Sequence, residues 1–178
     1  ENPSLYTAIS KVYEGNRLLD EYSTRFGIRT IEIIPEKGFF LNGKLTKFKG
    51  VCNHHDLGPL GAAVNDAAIR RQIRIMKDMG ANAIRSSHNM PAPELVRACD
   101  EMGMMLMLET FDEWKSPKVK NGYNKDFDEW VEKDLMNLIH QYRNNASVVM
   151  WCIGNEVPDQ WKGIKLARKL QDICHRED

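Results

Sequence analysis

The chain is 178 residues long, about one domain with a little left over. Its 25 Lys and Arg balance 25 Asp and Glu, so it lacks the excess positive charge that a nucleic-acid or membrane-surface partner needs. Hydrophobic residues at 42% and charged residues at 28% are ordinary globular usage, which excludes disorder as the default and allows a buried core. The longest apolar runs, Met104 to Leu108 and Val148 to Ile153, fall far short of the roughly 20 residues of a membrane helix. Glu1-Asn2-Pro3-Ser4 does not read as a signal peptide. The chain reads as beginning in the middle of a structure, so any targeting segment is expected upstream and the compartment stays open. Cys52, Cys99, Cys152 and Cys174 form no C-x-x-C pair and lie in apolar segments, which predicts buried free thiols rather than a disulfide scaffold.

In chain order, the first part is β-rich. Leu5 to Tyr13 partly alternates, Glu14-Gly15-Asn16-Arg17 reads as a turn, and Leu18 to Ile28 is a second strand region. Arg29 to Ile34 alternates and stops at Pro35. Phe39 to Leu45 contains Asn42-Gly43, a two-residue hairpin signal. So few strands make no stable sandwich alone, and they read as the tail of one. From Lys47 the pattern changes. Short apolar strands are predicted at Phe48 to Cys52, Asn82 to Ser87, Met104 to Glu109 and Ser147 to Gly154. They alternate with helices at Asp66 to Met79, Pro93 to Met102, Lys125 to Arg143 and Gln160 to Cys174, the last with Trp161, Ile164, Ala167 and Leu170 facing inward. Repeated β/α units with solid apolar strands predict a parallel sheet covered on both faces. A doubly wound open sheet and part of an eight-fold barrel both fit. No Gly-rich phosphate turn follows a strand, which lowers the nucleotide-binding reading.

Each strand is apolar and then ends in chemistry. The first ends in Asn53-His54-His55-Asp56, and the second carries Arg85 before Ser86-Ser87-His88-Asn89. The third ends in Glu109, followed by Asp112, Glu113 and Trp114, and the fourth in Asn155-Glu156. In β/α barrels the active site lies at those strand ends. Carboxylates, His, Asn and Trp without phosphate loops suit sugars, with Trp114 and Trp151 available to stack on a ring. Glycoside hydrolysis needs two carboxyl groups, one of them a proton donor with a raised pKa. Glu156, near the apolar Trp151, Ile153 and Val157, is a candidate for that donor.

These residues resemble a known family. Phe40-Leu41-Asn42-Gly43-Lys44 followed by Phe48-Lys49-Gly50-Val51-Cys52-Asn53-His54-His55-Asp56 resembles the opening of the catalytic barrel of glycoside hydrolase family two, which includes β-galactosidases, β-glucuronidases and β-mannosidases. Met76 to His88 and Ser147 to Glu156 resemble it too, in the same order, so the likeness covers nearly the whole chain. The resemblance implies the first four β/α units of a TIM (β/α)8 barrel (residues 37–178) after the last strands of an immunoglobulin-like β-sandwich (residues 1–36). It implies Glu156 as general acid/base of a retaining, β-galactosidase-like enzyme and Asn155 as the partner of the sugar 2-hydroxyl. Arg85 would steady the nucleophile, His88 and His54 would line the sugar subsite, and Asp112 and Trp114 would meet substrate from the third loop. It implies a carbohydrate substrate, no nucleic acid, no membrane and no required cofactor or metal, although a cation is compatible with it.

The sequence also departs from the family pattern. Leu108 stands where an Asp often precedes the third-strand Glu, which weakens an acidic cation site there, and Arg143-Asn144-Asn145-Ala146-Ser147 replaces the usual Arg-Asn-His-Pro-Ser. The stretch from Lys47 onward is about half of a typical barrel of roughly 250 residues, so the seventh-strand nucleophile is expected beyond residue 178 and the chain alone is expected to be inactive. Open sheet edges would favour self-association. Two other readings stand beside this one: a sugar-binding or scaffold module without catalysis, and a metal-dependent α/β hydrolase using His54, His55 and His88. Plainer roles also remain: a helix cap for Glu156, an ion pair for Arg85, loop bonding for His88, a solvated charge for Asp112 and core packing for Trp114. Trp130 and Trp161 read as core, and the nine methionines as core filler.

Overall fold

The computed structural model describes residues 3–158 and 163–178. The chain opens with an antiparallel ribbon of β1 (Leu5–Glu14) and β2 (Arg17–Gly27), paired from Leu5 opposite Gly27 up to Glu14 opposite Arg17. Gly15, at φ 58°, makes the turn that a bulkier residue would strain. Both faces of this ribbon are exposed, and they carry Tyr6, Ile9, Val12, Leu19 and Tyr22. It is tied to the rest at its root, where Arg25 pairs with Glu101.

A second sheet holds β3 (Ile31–Ile34), β4 (Gly38–Leu41) and β5 (Lys44–Leu45). Asn42 and Gly43 take φ 51° and 72°, the two positive values of a type I′ turn. The strand Ile31–Ile34, expected in the sandwich part, pairs with β4 instead of β2. The physical reason is its apolar side. Phe39 is buried against Ala83, Met105 and Val149, and Ile31, Leu41 and Phe48 pack around that cluster. Arg29 adds a hydrogen bond from Nη2 to the Val148 carbonyl at 2.7 Å. This small sheet therefore closes the floor of the third one.

That third sheet is parallel, in the order β6 (Gly50–His54), β7 (Ala83–Ser87), β8 (Met105–Glu109), β9 (Val148–Cys152). The strand order never reverses, as it would at the switch point of a doubly wound sheet, so the arrangement is that of four successive units of a β/α barrel. Each strand is followed by a helix: α1 (Asp66–Asp78), α2 (Pro93–Met102), α3 (Phe127–Tyr142) and α4 (Ile164–Glu177). Local chemistry sets the helix ends. The Asn65 side chain accepts from the Ala68 N–H at 3.0 Å, Pro93 occupies the first turn of α2, and Gly103 ends it at φ 70°. The departure before β9 is held by Asp100, which accepts from Asn145 Nδ2 at 2.6 Å and from the Ser147 N–H at 2.8 Å. Among the described residues no helix is long and apolar enough to cross a membrane.

The core lies between the outer sheet face and the helices. Ile84, Leu106, Leu108 and Val148 pack there with Ile69, Ile73, Val96, Leu138 and Tyr142. A second cluster joins Phe127, Val131 and Leu135 of α3 to Leu170 and Ile173 of α4. Several expectations are corrected. Ile164 is 70% exposed, because α4 buries the stripe Leu166, Leu170, Ile173 and Cys174, and residue 164 lies about 135° from its centre at 100° per residue. Trp130 lies similarly off the α3 stripe and is exposed, with Lys133 Nζ 4.3 Å from its ring centre. Cys52 is exposed, because the inner face of β6 is open; all four thiols are free. Trp161 lies outside the described residues.

Trp151, expected to offer its face to a sugar, points the other way. A one-residue register shift between Leu106 and Met107 puts Met150 opposite Met107 and Trp151 opposite Leu108. This extra residue reverses the alternation along β9. The Trp151 ring therefore packs against the outer clusters, and its Nε1–H donates to Asp178 at 2.9 Å.

Candidate active site

The strand ends converge on one rim, and there the polar side chains bond to one another. Arg85, in the middle of β7, projects from the inner sheet face. Its Nη2 donates to Glu109 Oε1 at 2.7 Å and to Asn155 Oδ1 at 3.1 Å. The Asn155 amide Nδ2 donates in turn to Asp112 Oδ1 at 2.9 Å. His88, just past β7, bonds through Nδ1 to Glu109 Oε2 at 2.8 Å. His54, the last residue of β6, meets His88 edge to face, with ring centres 5.0 Å apart. Five of the candidate residues thus form one connected group: Arg85, His88, His54, Asn155 and Asp112.

Glu156 follows Asn155 directly on the same rim. It is solvent-exposed, without the apolar walls expected around it, and its carboxylate makes no hydrogen bond among the described residues. Its backbone sits at φ 42°, in the left-handed region that costs a non-glycine residue of order 1 kcal/mol. Such strain persists where the surroundings hold it, and here the loop after β8 supplies the hold. Trp114 Nε1 donates to the Ile153 carbonyl at 2.6 Å, and Lys118 Nζ donates to the Asn155 carbonyl at 2.6 Å and to Asp112 Oδ1 at 2.9 Å. Gly154 is pressed so close to the indole that a Cβ there would lie 2.7 Å from Trp114 Nε1.

Trp114 is consequently 4% exposed and packed with Phe111 and Val157. It stands behind the rim, not on it, and cannot offer a ring face to substrate from there. The loop itself is folded around buried Glu113, whose carboxylate accepts from the Lys118 N–H at 2.6 Å and the Asn124 N–H at 2.8 Å.

The electrostatics follow from these contacts. Burial pushes the Asp112 carboxyl upward, but the bond from Asn155 and the Lys118 ammonium outweigh it and hold the group below its ordinary value of 3.8. Burial also pulls the Arg85 guanidinium down, yet its bond to Glu109 wins and raises it further. Burial raises the Cys152 thiol, which therefore stays protonated near neutral pH and donates to Glu109 Oε1 at 3.7 Å. No group of three or more His, Cys, Asp or Glu side chains among the described residues is arranged to hold a metal ion. His55 turns aside to bond the Ala62 carbonyl at 2.8 Å, so it does not join His54 and His88.

Glu109 is the residue that sequence reasoning undervalued. It was visible as a strand end, but its place at the centre of the network depends on neighbours from β7 and β9.

This geometry meets the comparisons with known proteins at one point. The sequence pattern of the TIM barrel domain of glycosyl hydrolases family 2 matches residues 32–176, and a second pattern of the same family matches residues 1–29. The chain belongs to glycosyl hydrolase family 2. A β-galactosidase of Bacteroides ovatus is 52% identical over 165 residues, 93% of this chain and 19% of that protein. A putative β-glucuronidase of Formosa agariphila is 43% identical over 157 residues, 88% of this chain and 15% of that protein. Among solved structures, a β-glycosidase of Bacteroides vulgatus superposes with a TM-score of 0.92 at 42% identity, over 98% of this chain and 22% of that one. The chain therefore spans about a fifth of the length of these relatives. Its parallel sheet is the first half of the family's TIM barrel.

Proposed function

We propose that this chain carries the acid/base half of a retaining, β-galactosidase-like active site. Glu156 protonates the departing glycosidic oxygen while a second carboxylate attacks the anomeric carbon. It then takes a proton from the water that releases the sugar. Asn155 holds the 2-hydroxyl, His88 and His54 contact the sugar ring substituents, and Arg85 steadies the attacking carboxylate. Asp112 meets substrate from the third loop. In retaining enzymes the two carboxyl groups stand about 5–5.5 Å apart, and the partner is expected from a later strand of the barrel.

One observation carries this reading: Asn155 and Glu156 follow the end of β9, and Asn155 is hydrogen-bonded to Arg85 of β7 across the rim. Relatives named as β-galactosidase and β-glucuronidase support the substrate class. The test is Glu156→Gln in the full-length enzyme, assayed on chromogenic β-galactosides and β-glucuronides. Loss of the general acid should lower kcat by about 10²–10⁴-fold. A variant as active as wild type sinks the assignment. The chain alone is expected to give no turnover, and its open β6 and β9 edges are expected to drive self-association. A clean monomer by light scattering at high concentration counts against the latter.

A further inference from the structure

Glu109 is fully buried, and both its oxygens are committed. Oε1 takes Arg85 Nη2 at 2.7 Å and the Cys152 thiol at 3.7 Å, while Oε2 takes His88 Nδ1 at 2.8 Å. Its backbone N–H donates to Ser86 Oγ at 2.9 Å, which locks β8 to β7 at this level. A carboxylate withdrawn from water is costly unless each oxygen is met by a donor. The outer neighbour Leu108 shows that this strand can fill buried space with apolar atoms. An ion at position 109 therefore calls for a reason other than packing.

The reason lies in what a carboxylate imposes on its partners. It can only accept, so a neutral His88 must carry its proton on Nδ1, and Nε2 on the other side of the ring is left as an acceptor. Arg85 Nη2 is shared between Glu109 and Asn155, which fixes the plane of the guanidinium relative to the residue beside Glu156.

We propose that Glu109 is a positioning residue of this active site, holding His88 in the tautomer that accepts from a sugar hydroxyl and holding Arg85 in plane with Asn155. This rests on the glycosidase reading above. Replacing the carboxylate by an amide turns one oxygen into an N–H₂ donor. Facing His88, it would force the proton onto Nε2 and convert the rim acceptor into a donor. Facing Arg85, it would oppose two donors.

The experiment is a double-mutant cycle in the full-length enzyme, with Glu109→Gln, His88→Ala and the pair, alongside Glu156→Gln. Each single variant is expected to lose about 100-fold in kcat/KM, as when a histidine's buried partner is removed elsewhere. The pair should lose little more than Glu109→Gln alone, because that substitution already releases His88 along with Arg85. A merely structural role would instead lower the melting temperature while leaving kcat/KM per folded enzyme near wild type, and that result overturns the proposal. So does a Glu109→Gln enzyme within two-fold of wild type while Glu156→Gln collapses. If Glu156→Gln is also without effect, the glycosidase reading has failed and takes this one with it. If Glu109→Gln does not fold, Glu109→Asp enters the same cycle under the same criteria; it keeps the charge, but at a different reach.

Discussion

The two faces of the four-stranded sheet use the same backbone for opposite ends. The outer face, with Ile84, Leu106, Leu108 and Val148, is dry and nearly inaccessible under its helices. The inner face carries Cys52, Arg85, Glu109 and Cys152, four polar or ionisable groups at neighbouring register positions. Successive side chains on a strand point to opposite faces, so one five-residue strand such as Met105–Glu109 serves both. The outer set supplies burial and cohesion. The inner set draws on that rigidity to hold charges in fixed directions.

The contrast can be pressed from its strongest consequence downward. Leu108→Ala on the outer face removes a fully buried side chain and should cost about 2–5 kcal/mol in chemical denaturation. A loss under 1 kcal/mol would mean that the outer layer is not the source of stability. Behind the rim, Trp114→Phe keeps an aromatic ring, though a smaller one, and strips the N–H from the Ile153 carbonyl, a bond whose loss should cost about 1–3 kcal/mol. In the full enzyme it should depress kcat more than KM, because it loosens the segment that carries Glu156. Equal losses in both would place the indole's role elsewhere.

The pH dependence of the Asp112 contact is smaller and has a definite sign. Its folded-state pKa lies below the ordinary 3.8, so its contribution is present above that value and is lost as pH falls through the lower folded one. An acid titration of wild type against Asp112→Asn should show their stabilities converging below about pH 3.8, with wild type ahead above it. Divergence on acidification would refute the assigned direction. At the far end, Ile164→Ser on the exposed side of α4 should stay within about 0.5 kcal/mol of wild type.

Most of the fold was legible because its periodicities are clean. The helix Pro93–Met102 has proline at its start, glycine just after its end and one apolar face, and it was read to the residue. The turn at Asn42-Gly43 was equally plain. What failed did so for local reasons. Apolar content alone could not show that Ile164 and Trp130 lie off the buried stripes of their helices. The reading of Trp151 assumed strict alternation, and a single extra residue in β9 reversed it. The polar rim was visible as a list of strand ends, yet the connections among its members were not. The bonds of Glu109 to Arg85 and His88, and of Asn155 to Asp112, cross between strands and loops that sequence places 21 to 43 residues apart.

The small sheet carrying Phe39 has an effect on traffic. It packs beneath Ala83, Met105 and Val149 at the end of the sheet opposite the rim, leaving the rim as the doorway on this side. For the chemistry proposed above, sugar, leaving group and hydrolytic water would all share that doorway. The water of the second step would then approach from the side that the aglycone has just vacated.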